Sequence, residues 1–213
     1  MAKTKIGNQL TFERIAAVAR RTGSDRFYLD LASFVAVTLR CRRWLVMRYP
    51  RYAAPEFIFN NALSSHAVQD YLSGLYRLDP LLRLVRSGNR EGIFVLSKLK
   101  SNKSNRAYFD RLFRMSLIYD EAALLLPAPG GSSIAVCVER AARQFSSRDS
   151  DFLRMLYPLI KSLHGVHLDR IFRAPAPESE AGRGGWAKQA VLLIDKDGRP
   201  VFRTNPSSAL TSG

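Results

Sequence analysis

The run YDEAALLLPAPGGSSIAVCVER constrains this chain more than any other segment. Two strand-like stretches, EAALLLPA and SIAVCVER, flank two glycines beside a proline, a strong signal for a tight reversal. The pair reads as an antiparallel hairpin. CRRWLVMRY, ended by Pro50, is rich in β-formers, and PEFIFNN reads as its antiparallel partner. Gly92 opens a further strand, GIFVLSKL, whose apolar run from Ile93 to Leu96 suggests burial on both faces.

Helical periodicity fills the intervals. In TFERIAAVARRTG, Thr11 is an acceptable N-cap, Phe12, Ile15, Ala16 and Ala19 fall on one face, and Gly23 ends the run. Ser24 is then expected to cap a second helix with Phe27, Leu31, Phe34, Val35 and Leu39 on its inner face. Short helices are expected over 65–74 and 79–87. Another, over about 104–117, has Tyr108, Phe109, Leu112 and Met115 as its apolar stripe. FSSRDSDFLRMLYPLIKSLHGVHLDRIF opens with Ser146 as N-cap and Asp149 three residues on, a capping box with Asp in place of Glu. Its apolar residues Phe152, Leu156, Leu159, Leu163 and Val166 recur every four and three residues. A helix of about 25 residues would approach 40 Å, longer than the core of such a domain needs, and Pro158 should bend it.

After Phe172 the composition changes. RAPAPESEAGRGGWAKQ is a Pro/Ala/Gly/Glu linker, and AVLLIDKDGRPVFRTNPSSAL carries a second hairpin signal around Asp-Lys-Asp-Gly. The expected organisation is one domain over 1–172, a flexible linker over 173–188 and a hairpin over 189–213.

Of 213 residues, 46% are hydrophobic, enough for a sizeable core, yet no apolar run has the roughly 18–20 residues of a membrane span. The amino terminus lacks the apolar stretch of a secretory signal, so a cytoplasmic location is expected. Two cysteines, Cys41 and Cys137, each within an apolar run, read as reduced core residues. The net charge of +15 lies almost wholly in the first 172 residues. Its densest stretch, SKLKSNKSNR, holds Lys98, Lys100, Lys103 and Arg106 without an acid. Such a patch suits a polyanion, or is a solvated face.

Phosphate loops, dinucleotide fingerprints, nucleophile elbows and zinc-type cysteine pairs are absent from the sequence. His66, His164 and His167 read as surface or interface residues. His164 and His167 are spaced to share a metal, but no further ligand lies nearby in sequence. No metal, cofactor or catalytic residue is expected, and the chain reads as non-enzymatic. What stands out is an aromatic group around one Asp-Pro: Tyr71, Tyr76, Phe94, Tyr108 and Phe109, joined by Trp44 and Phe57 from the first hairpin. Tyrosine offers an apolar ring with a polar handle, as a small-molecule pocket requires; a core that simply contains aromatics is the alternative.

In order, YLSGLYRLDPLLRLVRSG, GIFVLS, NRAYFDRLF, the glycine-turned hairpin and FSSRDSDFLRMLYPLIKSLH resemble the amino-terminal domain of LuxR-type transcriptional regulators. Tyr71, Tyr76, Asp79, Pro80, Tyr108, Gly131, Phe145, Asp149, Leu153, Leu156 and Pro158 carry the likeness, over roughly residues 10–172. The resemblance implies an α/β (α+β), GAF/PAS-like fold: a central antiparallel sheet flanked by helices, with a long C-terminal signalling helix. It also implies ligand reception, with Asp79, Tyr71 and Tyr76 at the positions that hold an acyl-homoserine lactone in the autoinducer-binding branch. The tryptophan expected upstream of Asp-Pro is absent, so the ligand class stays open. The family's helix-turn-helix is also missing, and the last hairpin resembles the start of a PAS-like segment, so the chain reads as truncated or as a free-standing receiver.

The expected function is thus small-molecule sensing in transcription regulation, with dimerisation through Phe152, Leu156, Leu159, Leu163 and Val166. The expected partners are an unknown small molecule and a second copy or a full-length regulator, without direct DNA binding. Charge-driven nucleic-acid association and a non-functional remnant are the alternatives.

Overall fold

The computed structural model describes residues 12–99, 103–173, 192–194 and 200–203. A five-stranded sheet, β1 Arg43–Tyr49, β2 Glu56–Asn60, β3 Gly92–Val95, β4 Asp120–Ala128 and β5 Ser132–Arg140, has the order β2-β1-β5-β4-β3. Every neighbouring pair is antiparallel. The β4–β5 hairpin turns through Pro129–Gly131, where Gly130 and Gly131 take φ of 69° and 70°. The turn demands left-handed backbone, and glycine adopts it without a Cβ clash. β3 is shorter than expected, because Leu96 starts a helical turn rather than continuing the strand.

Alternation along the strands divides the interior into two cores. Val46, Ala122, Leu124, Leu126, Ile134, Val136 and Val138 face α1 (residues 12–20), α2 Phe27–Thr38 and α7 Ser147–Arg173. Leu45, Met47, Tyr49, Ala123, Leu125, Ala135 and Cys137 face the opposite layer. That layer comprises α3 Ser65–Leu72, a 3-10 turn Leu75–Leu78, α4 Pro80–Arg86, α5 Leu96–Leu99 and α6 Lys103–Ser116. The central antiparallel sheet with helices on both faces matches the expected fold class.

Two helix starts differ from the sequence reading. In α1, Ile15 and Val18 are buried while Phe12 and Ala16 stand exposed, so the buried face is rotated from the one expected. Ser24 does not cap α2. Its hydroxyl donates to Arg21 O at 2.8 Å, and the helix begins after Arg26. At α7 the capping box forms: Ser146 N–H donates to Asp149 Oδ2 at 2.8 Å, and Asp149 N–H to Ser146 Oγ at 3.2 Å. The helix continues through Pro158 for 27 residues.

The linker expected over 173–188 and Trp186 fall almost wholly outside the described residues. Within the C-terminal segment, β6 Leu192–Ile194 and β7 Pro200–Arg203 pair antiparallel.

Candidate functional site

Asp-Pro is a helix-start signal, since aspartate accepts from the first free amides and proline fits the first turn. Asp79 accordingly caps α4: its Oδ1 accepts the Leu81 N–H at 2.8 Å. The second oxygen faces inward. Oδ2 accepts the Tyr71 hydroxyl at 2.6 Å and the Tyr49 hydroxyl at 2.9 Å. Asp79 is 1% exposed. Burial pushes its carboxyl above the usual range, against the pull of the Tyr71, Leu81 and Tyr49 donors. Burial, reinforced by the Asp79 charge, holds the phenols of Tyr49, Tyr71 and Tyr108 far above 10, so they stay O–H donors at any ordinary pH.

Around this centre the structure gathers most of the expected aromatic group. Tyr71, Tyr108 and Phe109 are buried in the second core, with Phe57, Tyr76 and Phe94 half-buried against it. Phe57 meets Tyr71 edge-on at 5.6 Å, Tyr71 meets Tyr76 at 6.4 Å, and Tyr108 meets Phe109 at 5.6 Å between centroids. Trp44 does not join them. It packs on the opposite face with the first core, because it alternates with Leu45 along β1.

Reading the sequence missed Tyr49 and a pair of acids beneath the same layer. Glu121 and Glu139 are direct cross-strand neighbours, and Arg43 stands opposite Glu139 on β1. Both acids are buried. Burial, then the charges of Glu139 and Asp79, keeps Glu121 protonated well above the ordinary carboxylate range. Burial lifts Glu139 to about 7, with Arg43 pulling the other way. Residue numbers across the hairpin sum to a constant, so counting outward from the Gly-Gly turn would have paired these acids.

His164 and His167 are not surface residues: both are 1% exposed. The Tyr28 hydroxyl lies 3.0 Å from His164 Nδ1, and His164 Nε2 is 2.8 Å from Pro127 O. Gly23 N–H donates to His167 Nδ1 at 3.0 Å, and Phe27 stacks on the His167 ring at 4.2 Å. These contacts pin α7 to α2 and to the turn before it, and they occupy both ring nitrogens of His164 and Nδ1 of His167. Among the described residues no group of three His, Cys, Asp or Glu side chains is set to hold a metal. Cys41 and Cys137 are buried and unbridged.

The apolar residues of α7 divide between two surroundings. Phe152, Leu156 and Leu163 lean on the first core, whereas Met155, Leu159 and Val166 are 67%, 44% and 44% exposed. Of the basic group, Lys98 donates to Ser150 Oγ on α7 at 3.2 Å, and Arg106 is exposed on α6, which begins at Lys103. Lys100 lies outside the described residues. Among the described residues no helix is long and apolar enough to cross a membrane.

The sequence matches no protein-family model and no curated protein. Solved structures do match. The VqsR LBD domain from Pseudomonas aeruginosa aligns at TM-score 0.61 and 17% identity, over 75% of this chain and 96% of that one. The N-acylhomoserine lactone dependent LuxR family transcription factor CepR2 from Burkholderia cenocepacia aligns at 0.56 and 13%, over 78% and 96%. Escherichia coli SdiA aligns at 0.57 and 14%, over 75% and 67%. The sheet order, the two helical layers and the long closing helix are therefore the fold of the autoinducer-binding domains of LuxR-type regulators.

Proposed function

We propose that this chain is a non-enzymatic sensory domain that receives a small molecule between the sheet and the α3–α6 layer and passes the event to α7. One observation carries the reading: a fully buried carboxylate, Asp79, is held by two tyrosine hydroxyls inside an aromatic layer. A ligand's N–H or O–H can take the place of one tyrosine donor on Asp79 Oδ2 while the rings cover its apolar part. Tyr71, Tyr76, Asp79, Phe94, Tyr108 and Phe109 form the proposed ligand surface, to which Tyr49 is added and from which Trp44 is removed. The likeness to a lactone-dependent regulator makes N-acylhomoserine lactones the first ligands to try. The outer apolar residues of α7 are the proposed seam with a second copy or a full-length regulator.

Native mass spectrometry of the gently purified chain, followed by titration with an acyl-chain series of these lactones, tests the reading. A bound small molecule, lost in Tyr76→Phe/Asp79→Asn, supports it. An empty protein that none of the series stabilises against heat overturns the lactone assignment. Binding unchanged in the double variant overturns the site.

A further inference from the structure

A different concavity lies at the end of β1 and β5, of about 410 Å³, lined by Arg40, Cys41, Arg42, Arg43, Glu139, Arg140, Ala141, Ala142 and Arg143. Five of these nine residues are arginines. Two of the five are committed. Arg43 pairs with Glu139 at 3.2 Å and donates to the carbonyls of Ala62, Ser116 and Leu117. Arg140 holds Asp149 with both terminal nitrogens, at 2.8 and 3.1 Å, and donates to Leu39 O at 2.9 Å. Once Glu139 and Asp149 are matched in this way, Arg40, Arg42 and Arg143 remain without an acidic partner among the described residues.

Two buried groups on the lining are also short of partners. Arg140 Nε has no hydrogen-bond acceptor, although its side chain is only 7% exposed. Neither carboxylate oxygen of Glu139 receives a hydrogen bond, with the side chain 1% exposed. Buried polar groups are ordinarily satisfied, so the unmatched Arg140 N–H on the wall of the cavity points to an acceptor that occupies it, whereas the Glu139 oxygens call for a donor and lend an anion no support. Arg40 adds a conformational hint. It follows the end of α2 with φ of 56°, while Cys41 N–H closes the helix on Ala36 O at 2.7 Å. Glycine usually fills that left-handed position, so keeping a long cationic side chain there is unfavourable for the backbone.

We infer that this pocket binds a small phosphate-bearing anion, at a site separate from the aromatic layer around Asp79. Guanidinium forks match phosphate oxygens in pairs, and a concave cluster of one sign focuses its field on an entering counter-ion. The volume admits a diphosphate with a substituent rather than a single inorganic ion, and the concave shape favours a small molecule over the side of a duplex. Glu139 and the C-terminal carbonyls of α2 oppose an anion. Arg43 neutralises the first, and burial leaves Glu139 with less than a full charge near pH 7.

Titration calorimetry of the full chain with inorganic pyrophosphate at 150 mM salt tests the inference, since that ionic strength screens diffuse surface attraction. Arg40→Gln/Arg42→Gln/Arg143→Gln is compared with Arg26→Gln/Arg106→Gln/Arg111→Gln, which removes the same charge from exposed positions elsewhere. One-to-one binding in wild type and in the second variant, at least tenfold weaker in the first, is the expected result. Equal weakening in both triples, or no saturable binding in wild type, overturns it. A duplex oligonucleotide bound while pyrophosphate is not would also overturn it, assigning the basic surface to polyanions. Arg42→Gln alone, with an unchanged circular dichroism spectrum, guards against a folding defect in the triple variant.

Discussion

The Tyr71 hydroxyl and the Asp79 carboxylate meet at 2.6 Å, joining α3 to the start of α4 in the middle of the second core. The same oxygen takes the Tyr49 hydroxyl, so one aspartate ties a strand, a helix and a helix cap together. Asp79→Ala removes the cap and leaves two buried hydroxyls without their acceptor. The expected loss is about 3 kcal/mol in a urea unfolding midpoint. Tyr71→Phe deletes a single donor and leaves the cap intact, for an expected loss of about 1 kcal/mol. Equal losses in the two variants would mean that the cap and the Tyr49 contact contribute nothing measurable.

His167 ties stability to pH in the acidic range. Burial first, then the neighbouring His164, lowers its folded pKa to about 4, below the ordinary histidine value near 6.5. A histidine held neutral in the fold adds stability that is full above the unfolded pKa and is lost as pH falls through 6.5 toward 4. His164 is shifted in the same direction, also by burial. In His167→Phe the stack on Phe27 can persist, but the Gly23 N–H loses its acceptor. The melting temperature of wild type should exceed that of the variant clearly at pH 8, and the gap should shrink toward pH 4.5. A gap independent of pH would show that the imidazole does not titrate with unfolding.

Glu139 acts in the opposite sense. Its folded pKa of about 7 lies above the ordinary glutamate value, so its stabilising contribution is full below about 4.5 and lost as pH rises through 7. Glu139→Gln should therefore raise the urea midpoint at pH 8 relative to pH 5 when each is compared with wild type. An unchanged difference between the two pH values would mean that Arg43 fully compensates the buried charge.

Gly23 makes the junction behind His167 possible. Its φ is +89°, and a Cβ there would sit 2.9 Å from Arg170 Cβ on α7. Gly23→Ala should cost about 2 kcal/mol from the left-handed backbone and the close approach together. Amide exchange should speed up in the α1–α2 turn and at the end of α7, while the β4–β5 hairpin keeps its protection.

What was legible in the sequence was local. The hairpin around Gly130 and Gly131, the reciprocal bonds of Ser146 and Asp149, and the Asp79-Pro80 helix start each lie within a few residues of their cause. What was hidden depended on phase or on distance along the chain. Trp44, Leu45, Val46 and Met47 are all apolar, so nothing in that run shows which alternate set faces the aromatic layer, and Trp44 was assigned to the wrong one. Tyr49 lies 30 residues before Asp79, and Tyr28 lies 136 before His164. No pattern of spacing connects such partners. The spacing of His164 and His167 leaves them as surface or interface residues, because it reports which residues share a face, not what that face meets.

The exposed side of α7 provides the sharpest test of assembly. Phe152, Leu156 and Leu163 pack partly on the chain's own first core, so a glutamate at any of them disturbs folding as well as pairing. Leu159 and Val166, each 44% exposed and seven residues apart, lie on the same outer stripe without that role. Leu159→Glu/Val166→Glu should convert a dimer to a monomer in sedimentation velocity, with a monomer fold that keeps its circular dichroism spectrum. Two charges set against an apolar seam weaken a helix pair far more than they perturb an isolated, solvated helix face. A variant that sediments with wild type at every concentration would place any pairing surface away from this helix, and the seam proposed for α7 would fall.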